Sequence, residues 1–290
     1  MTSSSTVTTG GARQTGKVRG EKSPKVSRGA GNERLRTVLV TILGVLILFG
    51  LWQLTSMYLL KPVWISSPSL VLGRFVSSFR DGTLVANTVA TTEEALLGLV
   101  AGVIAGILAG IALAEWRPLA RILDPYIVGA NSLPRIALAP FFVIWFGIGL
   151  FSKVLLVVSV VMFIALFNVR QGMASIDPDL VDVMKSMKGR RWAMFRYVTL
   201  PSLLPWIMSA VKIGIGSAII SAIVAEMVGA DHGLGWSVTF ALQQFDMTGA
   251  ITSMTMMVIL ALILYGLLAL LERWLFRWKG HGTASSVAPM

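Results

Sequence analysis

The chain has 290 residues, of which 55% are hydrophobic and 13% are charged, and it contains no cysteine. Its mean hydropathy of +0.75 is far above that of a soluble domain, so the composition excludes a water-soluble globular protein and indicates an integral membrane protein. The absence of cysteine excludes disulfides and thiolate metal ligands. The formal net charge of +11 is spread over segments that flank apolar runs, which excludes a folded basic domain that binds nucleic acid.

The first 36 residues are rich in Ser, Thr, Gly, Lys and Arg and contain almost no large apolar side chain. Such a segment cannot offset the entropy lost on ordering, so residues 1–36 are predicted to be a disordered basic tail. Residues 11–17 (GARQTGK) have the spacing of a phosphate-binding loop. However, Val18 stands where a magnesium-binding Ser or Thr is needed and no strand precedes it, so we expect no nucleotide site there.

Six long apolar runs follow, each able to cross a bilayer as a helix. The runs cover residues 37–59, 88–114, 122–148, 153–172, 204–229 and 250–275. Between the first two, Leu70, Leu72, Phe75 and Phe79 recur at near-helical spacing, which predicts a short helix lying on the membrane surface. The sequence therefore predicts an all-α integral membrane domain with six transmembrane helices.

The distribution of Lys and Arg predicts the orientation of these spans. With the N-terminus in the cytoplasm, most basic residues fall in the two tails and in the second and fourth loops, whereas Lys61, Arg74, Arg80 and Lys153 fall outside. Cytoplasmic loops carry an excess of Lys and Arg, so both termini are predicted to be cytoplasmic. The six-helix domain would then occupy residues 37–278, with a short tail at 279–290.

The second span carries a regular ridge of small residues. Gly98, Gly102, Gly106 and Gly110 recur at every fourth position and share one helix face. Such a ridge lets another helix backbone approach closely, so these glycines are predicted to be helix-packing residues.

The third and fifth spans contain the candidate pathway and gating residues. Pro134 and Pro140 are predicted to break the third span, and a bent helix can line or gate a path. Asn131 and Arg135 lie beside the first break, where Arg135 either faces the path or snorkels to the interface. Glu226, near the outer end of the fifth span, is either a functional acid or a structural hydrogen-bond partner of the Gly-rich turn at 229–235.

The loop between the fourth and fifth spans, residues 176–201, is basic and amphipathic. Read as a helix, it has one apolar stripe, formed by Leu180, Val183, Met184 and Met187. Gly189 can end this helix, and a second helical stretch runs on to Pro201. Two short helices at an angle are predicted to form a compact knob whose methionines suit a groove in a partner protein.

This loop resembles the EAA motif of bacterial ATP-binding-cassette (ABC) importer permeases. The motif reads Glu-Ala-Ala, three residues, Gly, nine residues, Ile, one residue, Leu-Pro. The corresponding residues here are Asp182, Val183, Met184, Lys188, Val198, Leu200 and Pro201. The spacing is kept but several identities differ. Lys188 replaces the motif glycine, and Gly189 one place later is available to make the turn.

The resemblance extends over roughly residues 60–278, where the chain is similar to the branch that imports nitrate, taurine and aliphatic sulfonates. It implies a non-enzymatic permease subunit with the six-helix fold of this family, located in the bacterial inner membrane and working by alternating access. It also implies a homodimer, two cytoplasmic ATPase subunits that bind ATP and magnesium, and an extracytoplasmic solute-binding protein. This chain would hold no cofactor. The branch favours an anionic solute, but permeases of this shape also carry neutral or cationic vitamin precursors.

Three other classes of membrane protein are alternatives to this interpretation: a membrane-embedded enzyme, an ion-driven secondary transporter and a purely structural scaffold. A docking knob at this spacing argues against the last two. A membrane-embedded enzyme needs paired carboxylates, a Ser-His pair or a His cluster, and no single span shows one. His232 and His281 lie far apart in the sequence, so no metal site is expected. An ion-driven secondary transporter is the stronger alternative, although it often shows an internal repeat, and no convincing repeat relates the two halves.

Overall fold

The computed structural model of the chain describes residues 30–58 and 65–275, and the regular secondary structure within them is entirely helical. The predicted tail at 279–290 and most of the predicted tail at 1–36 lie outside these residues. The chain divides into two compact units at Gly50. The described part of the first unit is a single helix up to Gly50, and the following paragraphs concern the second unit.

Eleven α-helices occur in the described residues. They are α1 (Ala30–Tyr58), α2 (Pro68–Arg80), α3 (Thr83–Glu115), α4 (Arg117–Ser132), α5 (Ala139–Phe146), α6 (Leu150–Ala174), α7 (Pro178–Ser186), α8 (Arg191–Met194), α9 (Leu200–Val228), α10 (Leu234–Gln243) and α11 (Met247–Leu275). A 3₁₀ turn (Arg135–Leu138) precedes α5, and a π-helical turn (Phe195–Thr199) precedes α9.

Within the described residues, five helical stretches are long and apolar enough to cross a membrane, and α4 with α5 forms a sixth candidate, bent by 80°. The predicted all-α fold with six spans is confirmed when this bent pair is counted as one span. The short helix predicted between the first two spans is present as α2. The first candidate span, Leu39–Ser56, lies within the predicted range 37–59, and α1 extends beyond it to Ala30.

The fifth span differs most from its prediction. A continuous helical stretch runs from Arg191 to Val228, so the span does not start at residue 204. The predicted second helix of the knob is therefore an extension of the span, not a separate element. The π turn explains the continuity, because the Leu200 amide donates to the Phe195 carbonyl and the widened turn accommodates Pro201, which lacks an amide hydrogen.

The core of the second unit forms where α3, α6 and α9 pack together. The glycine ridge of α3 lies against α6, where Val157, Val161 and Val169 are fully buried. A Cβ added at Gly102 would lie 2.8 Å from Val161 Cβ, and one added at Gly110 would lie 2.9 Å from Val169 Cβ. The small residues thus allow the two helices to approach more closely than alanine would permit.

The third span is broken at only one of its two prolines. Leu133, the residue before Pro134, is extended (φ −70°, ψ 137°) and ends α4, as the steric restriction on a pre-proline residue requires. Pro140 occupies the first turn of α5, where no helical partner is needed for its missing amide. The prediction that Pro140 also breaks the helix is wrong.

A short helix, α10, fills the connection that was predicted to be a Gly-rich turn. Gly233 precedes it with φ of +109°, a conformation that favours glycine. Gly235 lies inside α10 and is not a turn residue. This helix packs against both α9 and α11, and so brings its N-terminus close to the end of α9.

Candidate functional site

The connection between α6 and α9 places an exposed helix, α7, just beyond the end of α6. Asp177 caps α7, because its carboxylate accepts the amide of Asp179 at 2.9 Å, and Pro178 occupies the first turn. No residue of α7 is buried. The sequence therefore builds a short helix that lacks a partner within the described part of the chain.

The apolar stripe predicted on α7 divides into two parts. Leu180, Val183 and Met187 are exposed, with Met187 at 75%. Met184 is half-buried, and a Cβ added at Gly189 would meet its Sδ atom at 2.5 Å. The exposed part of the stripe is thus Leu180, Val183 and Met187, whereas Met184 packs against the turn at Gly189.

The turn that ends α7 forms at Lys188 and not at Gly189. Lys188 has φ of +54°, in the left-handed region. Its amide donates to the Lys185 carbonyl at 2.8 Å, and the Gly189 amide donates to the Met184 carbonyl at 3.0 Å. These two bonds define a Schellman motif whose left-handed position is usually glycine. The expectation that Gly189 makes this turn is wrong. The left-handed position is the second residue after α7 ends at Ser186, and that residue is Lys188.

The remaining residues of the predicted knob differ in exposure and lie on two different helices. Asp182 is exposed and forms an ion pair with Lys185 at 3.1 Å. Leu200 and Pro201 lie in the first turn of α9, where both are only partly exposed. They connect the knob to the span.

The break between α4 and α5 is held by Arg135. Its guanidinium donates to the carbonyls of Ser159 and Val160 in α6, at 3.3 and 3.4 Å, and to Asn131 Oδ1 and carbonyl oxygen. It also lies 4.2 Å from the centre of the Phe163 ring, a cation–π distance. Arg135 therefore fastens the broken span to α6.

The predicted pathway residues do not form one site. Asn131, Pro134 and Arg135 line a cavity of about 390 Å³ against α6. Pro140 and Glu226 are not among the residues that line it. The structure thus brings together three of the five.

Glu226 is buried at the end of α9, with 1% of its surface exposed. Its Oε1 atom accepts the Thr91 hydroxyl at 2.6 Å, and its Oε2 atom accepts the Gly235 amide at 2.6 Å. The Thr91 oxygen also accepts the Leu234 amide at 2.9 Å. Glu226 therefore joins α3 to the start of α10, which fits the structural alternative that the sequence left open.

A buried ion pair lies beside Glu226. Lys153 Nζ donates to Glu94 Oε1 at 2.6 Å, and both side chains are 1% exposed. Glu94 Oε2 has no hydrogen-bond partner among the described residues. Glu226 is bonded to Thr91, which lies one helical turn before Glu94 on α3. We refer to Glu94, Lys153 and Glu226 as the buried charge cluster.

This cluster corrects two expectations from the sequence. The spans do bring two carboxyl groups together, but Glu94 and Glu226 come from different helices, so no local spacing reveals the pair. Lys153 was counted only as a basic residue on the outer side of the spans, and its full burial was not predicted. The available signal was the presence of opposite charges, Glu94 and Lys153, within or beside apolar runs, because such charges are retained only when paired.

The geometry places the two features at opposite ends of the spans. The buried charge cluster joins the first part of α3, the start of α6 and the end of α9, whereas α7 follows the end of α6. Among the described residues, no group of three His, Cys, Asp or Glu side chains is arranged to hold a metal ion. One end of the spans is thus followed by an exposed helix, α7. At the other end, a buried ion pair and a hydrogen bond connect α3 with α6 and α9.

Comparison with known proteins gives a consistent result. The profile of the family described as "Binding-protein-dependent transport system inner membrane component" matches residues 102–279. The riboflavin transport system permease protein of Chloroflexus aurantiacus is 36% identical over 236 residues, which are 81% of this chain and 88% of that protein. The taurine transport system permease protein of Escherichia coli is 29% identical over 235 residues, covering 79% and 86%.

Solved structures show the same fold. A structure of the MetNI methionine ABC transporter in an inward-facing conformation aligns with a TM-score of 0.56 and 22% identity, covering 67% of this chain and 95% of that one. At this level of identity the likeness establishes the fold alone.

Proposed function

Because the chain belongs to the family of binding-protein-dependent transport system inner membrane components, we propose that it forms the translocation path of an ATP-driven importer for a small organic solute. It is an ABC importer permease and not an enzyme. The family membership also favours this function over the ion-driven secondary transporter.

The observation that carries the coupling proposal is the exposed apolar face of α7. Its side chains Leu180, Val183 and Met187 contact no core, although burial of such residues is favourable. We assign this face to a groove on a cytoplasmic ATPase subunit, which binds ATP and magnesium. The spacing that resembles the EAA motif supports the assignment.

A long continuous helical stretch links this docking face to the far side of the membrane. The helical stretch from Arg191 to Val228 contains 38 residues and spans about 57 Å at 1.5 Å per residue. Glu226 lies near its far end, within the buried charge cluster. A movement imposed on α7 by the ATPase would thus reach the opposite end of the spans, as alternating access requires.

The distribution of charge supports the orientation proposed here. The α7 end carries Lys185, Lys188, Arg190 and Arg191, all of them exposed, which marks it as the cytoplasmic end. Both termini would then be cytoplasmic, and an extracytoplasmic solute-binding protein would dock at the opposite end. A second copy of the chain completes the path in the arrangement we propose.

The substrate class proposed is a small organic solute delivered by that binding protein. The relative named for taurine transport supports a solute that carries an anionic sulfonate group, and the relative named for riboflavin transport supports a wider class. Arg135 adds no argument for an anion, because its guanidinium is already engaged by carbonyl oxygens and an aromatic ring.

The coupling proposal is tested by uptake in cells that contain Met187→Asp, with Met187→Leu as the matched control. A charge in the docking groove is expected to abolish uptake, whereas leucine keeps the apolar contact and should preserve most of it. Since Met187 is 75% exposed, neither substitution should alter insertion or folding. Normal uptake in the Asp variant would contradict the proposed docking face.

A further inference from the structure

A second cavity lies at the α7 end of the spans and is lined by charge. Its volume is about 450 Å³, within the usual range of ligand pockets. Three arginines, Arg117, Arg121 and Arg170, and one acid, Asp124, contribute to its wall. The pocket therefore carries an excess of positive charge and favours an anionic ligand.

Some of the charged side chains in this cavity are paired with one another and others are not. Arg170 forms a fork with Asp124, with Nη1 to Oδ1 at 2.5 Å and Nη2 to Oδ2 at 3.2 Å. Arg117 and Arg121 have no hydrogen bond or ion pair with any described residue, and both are exposed. The Asp124–Arg170 pair is internally neutral, so the two free guanidiniums supply the net charge.

The two free guanidiniums are suited to one phosphate group. Arg117 and Arg121 are four residues apart in α4, so their side chains project from the same helix face and lie close together. Guanidinium groups present paired N–H donors that match phosphate oxygens. A single phosphate can therefore be held between them.

The position of the cavity selects a lipid over a soluble anion. It lies where α3 ends at Glu115 and α6 ends at Ala174, at the boundary between apolar span and water. Trp116, at the same level, is 62% exposed, as expected of an interfacial aromatic residue. Leu113 and Met173 provide an apolar wall beside the charges, which can accept the part of a lipid nearest its headgroup.

From these observations we infer that Arg117 and Arg121 bind the phosphate of an anionic phospholipid, such as phosphatidylglycerol, in the cavity between α3, α4 and α6. Basic cavities between spans bind lipid headgroups in this way. This site is separate from the docking face of α7 and from the cavity at Arg135.

The test is native mass spectrometry of the purified full chain, titrated with phosphatidylglycerol and, in parallel, with phosphatidylcholine. The wild-type chain is expected to prefer phosphatidylglycerol. The variant Arg117→Gln with Arg121→Gln should bind it roughly thirtyfold more weakly, the change that two surface charges worth about 1 kcal/mol each produce. The matched control is Arg190→Gln with Arg191→Gln, which removes two exposed arginines outside the cavity and should leave the affinity unchanged.

A second variant tests the site in the opposite direction. Asp124→Asn removes the acid from the cavity wall and is expected to tighten phosphatidylglycerol binding about fivefold. This gain keeps the inference testable even if the double variant folds poorly. Equal losses in the cavity variant and its control would overturn the inference, because they would show only a general charge effect. It would also be overturned if inorganic phosphate alone bound as tightly as the lipid, since the cavity would then be a site for a soluble anion.

Discussion

The ion pair between Lys153 and Glu94 gives the strongest prediction for stability. Lys153→Met removes the ammonium but keeps most of the side-chain volume, and leaves Glu94 buried beside Glu226 without its partner. Both side chains of the pair are 1% exposed. Removing one partner of a fully buried pair costs about 3–5 kcal/mol, because the remaining charge is left uncompensated.

Thermal unfolding of the purified chain in mild detergent measures this effect through tryptophan fluorescence. At about 2–4 °C per kcal/mol, the variant is expected to unfold roughly 6–20 °C below the wild-type chain. The double variant Glu94→Gln with Lys153→Met removes both charges and should recover most of the loss, because no isolated charge remains.

A partly exposed ion pair provides the comparison. Asp124→Asn breaks the ion pair with Arg170, in which the Asp124 side chain is 41% exposed and the Arg170 side chain 29% exposed. Loss of this pair should lower the free energy of unfolding by no more than about 1 kcal/mol. If Lys153→Met shifted the unfolding temperature no more than Asp124→Asn does, the buried pair would not hold α3 and α6 together. Failure of the double variant to recover stability would refute the argument from an isolated charge.

Three further substitutions test local features by the same unfolding measurement. Lys188→Gly should raise the free energy of unfolding by about 0.5–1 kcal/mol, because glycine adopts the left-handed turn without steric cost; a loss of stability would contradict the assigned turn. Gly106→Ala should lower stability by about 1–3 kcal/mol, since the added Cβ would clash with the Met162 carbonyl of α6. Gly73→Ala, where no atom lies within 4 Å of the added Cβ, is its control, and equal effects would argue against the close approach of α3 and α6. Thr91→Val should cost about 1–3 kcal/mol by leaving polar groups at Glu226 and the start of α10 unpaired, and an unchanged unfolding temperature would show that these bonds are not needed.

The spans were predictable because each must satisfy its own backbone within lipid, which leaves a long apolar run in the sequence. The bend at Pro134 was also predictable, because a proline restricts the backbone of the residue before it. The continuity of the helix through Pro201 did not follow, since it depends on a π turn that no residue pattern marks.

The buried charge cluster could not be assembled from the sequence. Glu94 and Lys153 are 59 residues apart and lie in different spans, and their pairing depends on the register between α3 and α6. The glycine ridge indicated close packing on α3, but only the structure identifies α6 as the helix that packs there. The Lys188 turn is a similar case, because the nearby glycine suggested a position one residue too late.

Site-specific cross-linking tests the central claim, that α7 docks on an ATPase subunit, most directly. The chain contains no cysteine, so Met187→Cys carries a single photoreactive label, and Phe245→Cys, 79% exposed beyond α10, labels the opposite end as a control. After cross-linking in native membranes, mass spectrometry of the adducts should identify an ATPase subunit from position 187 and none from position 245. Adducts with an ATPase from both positions, or from neither, would contradict the account.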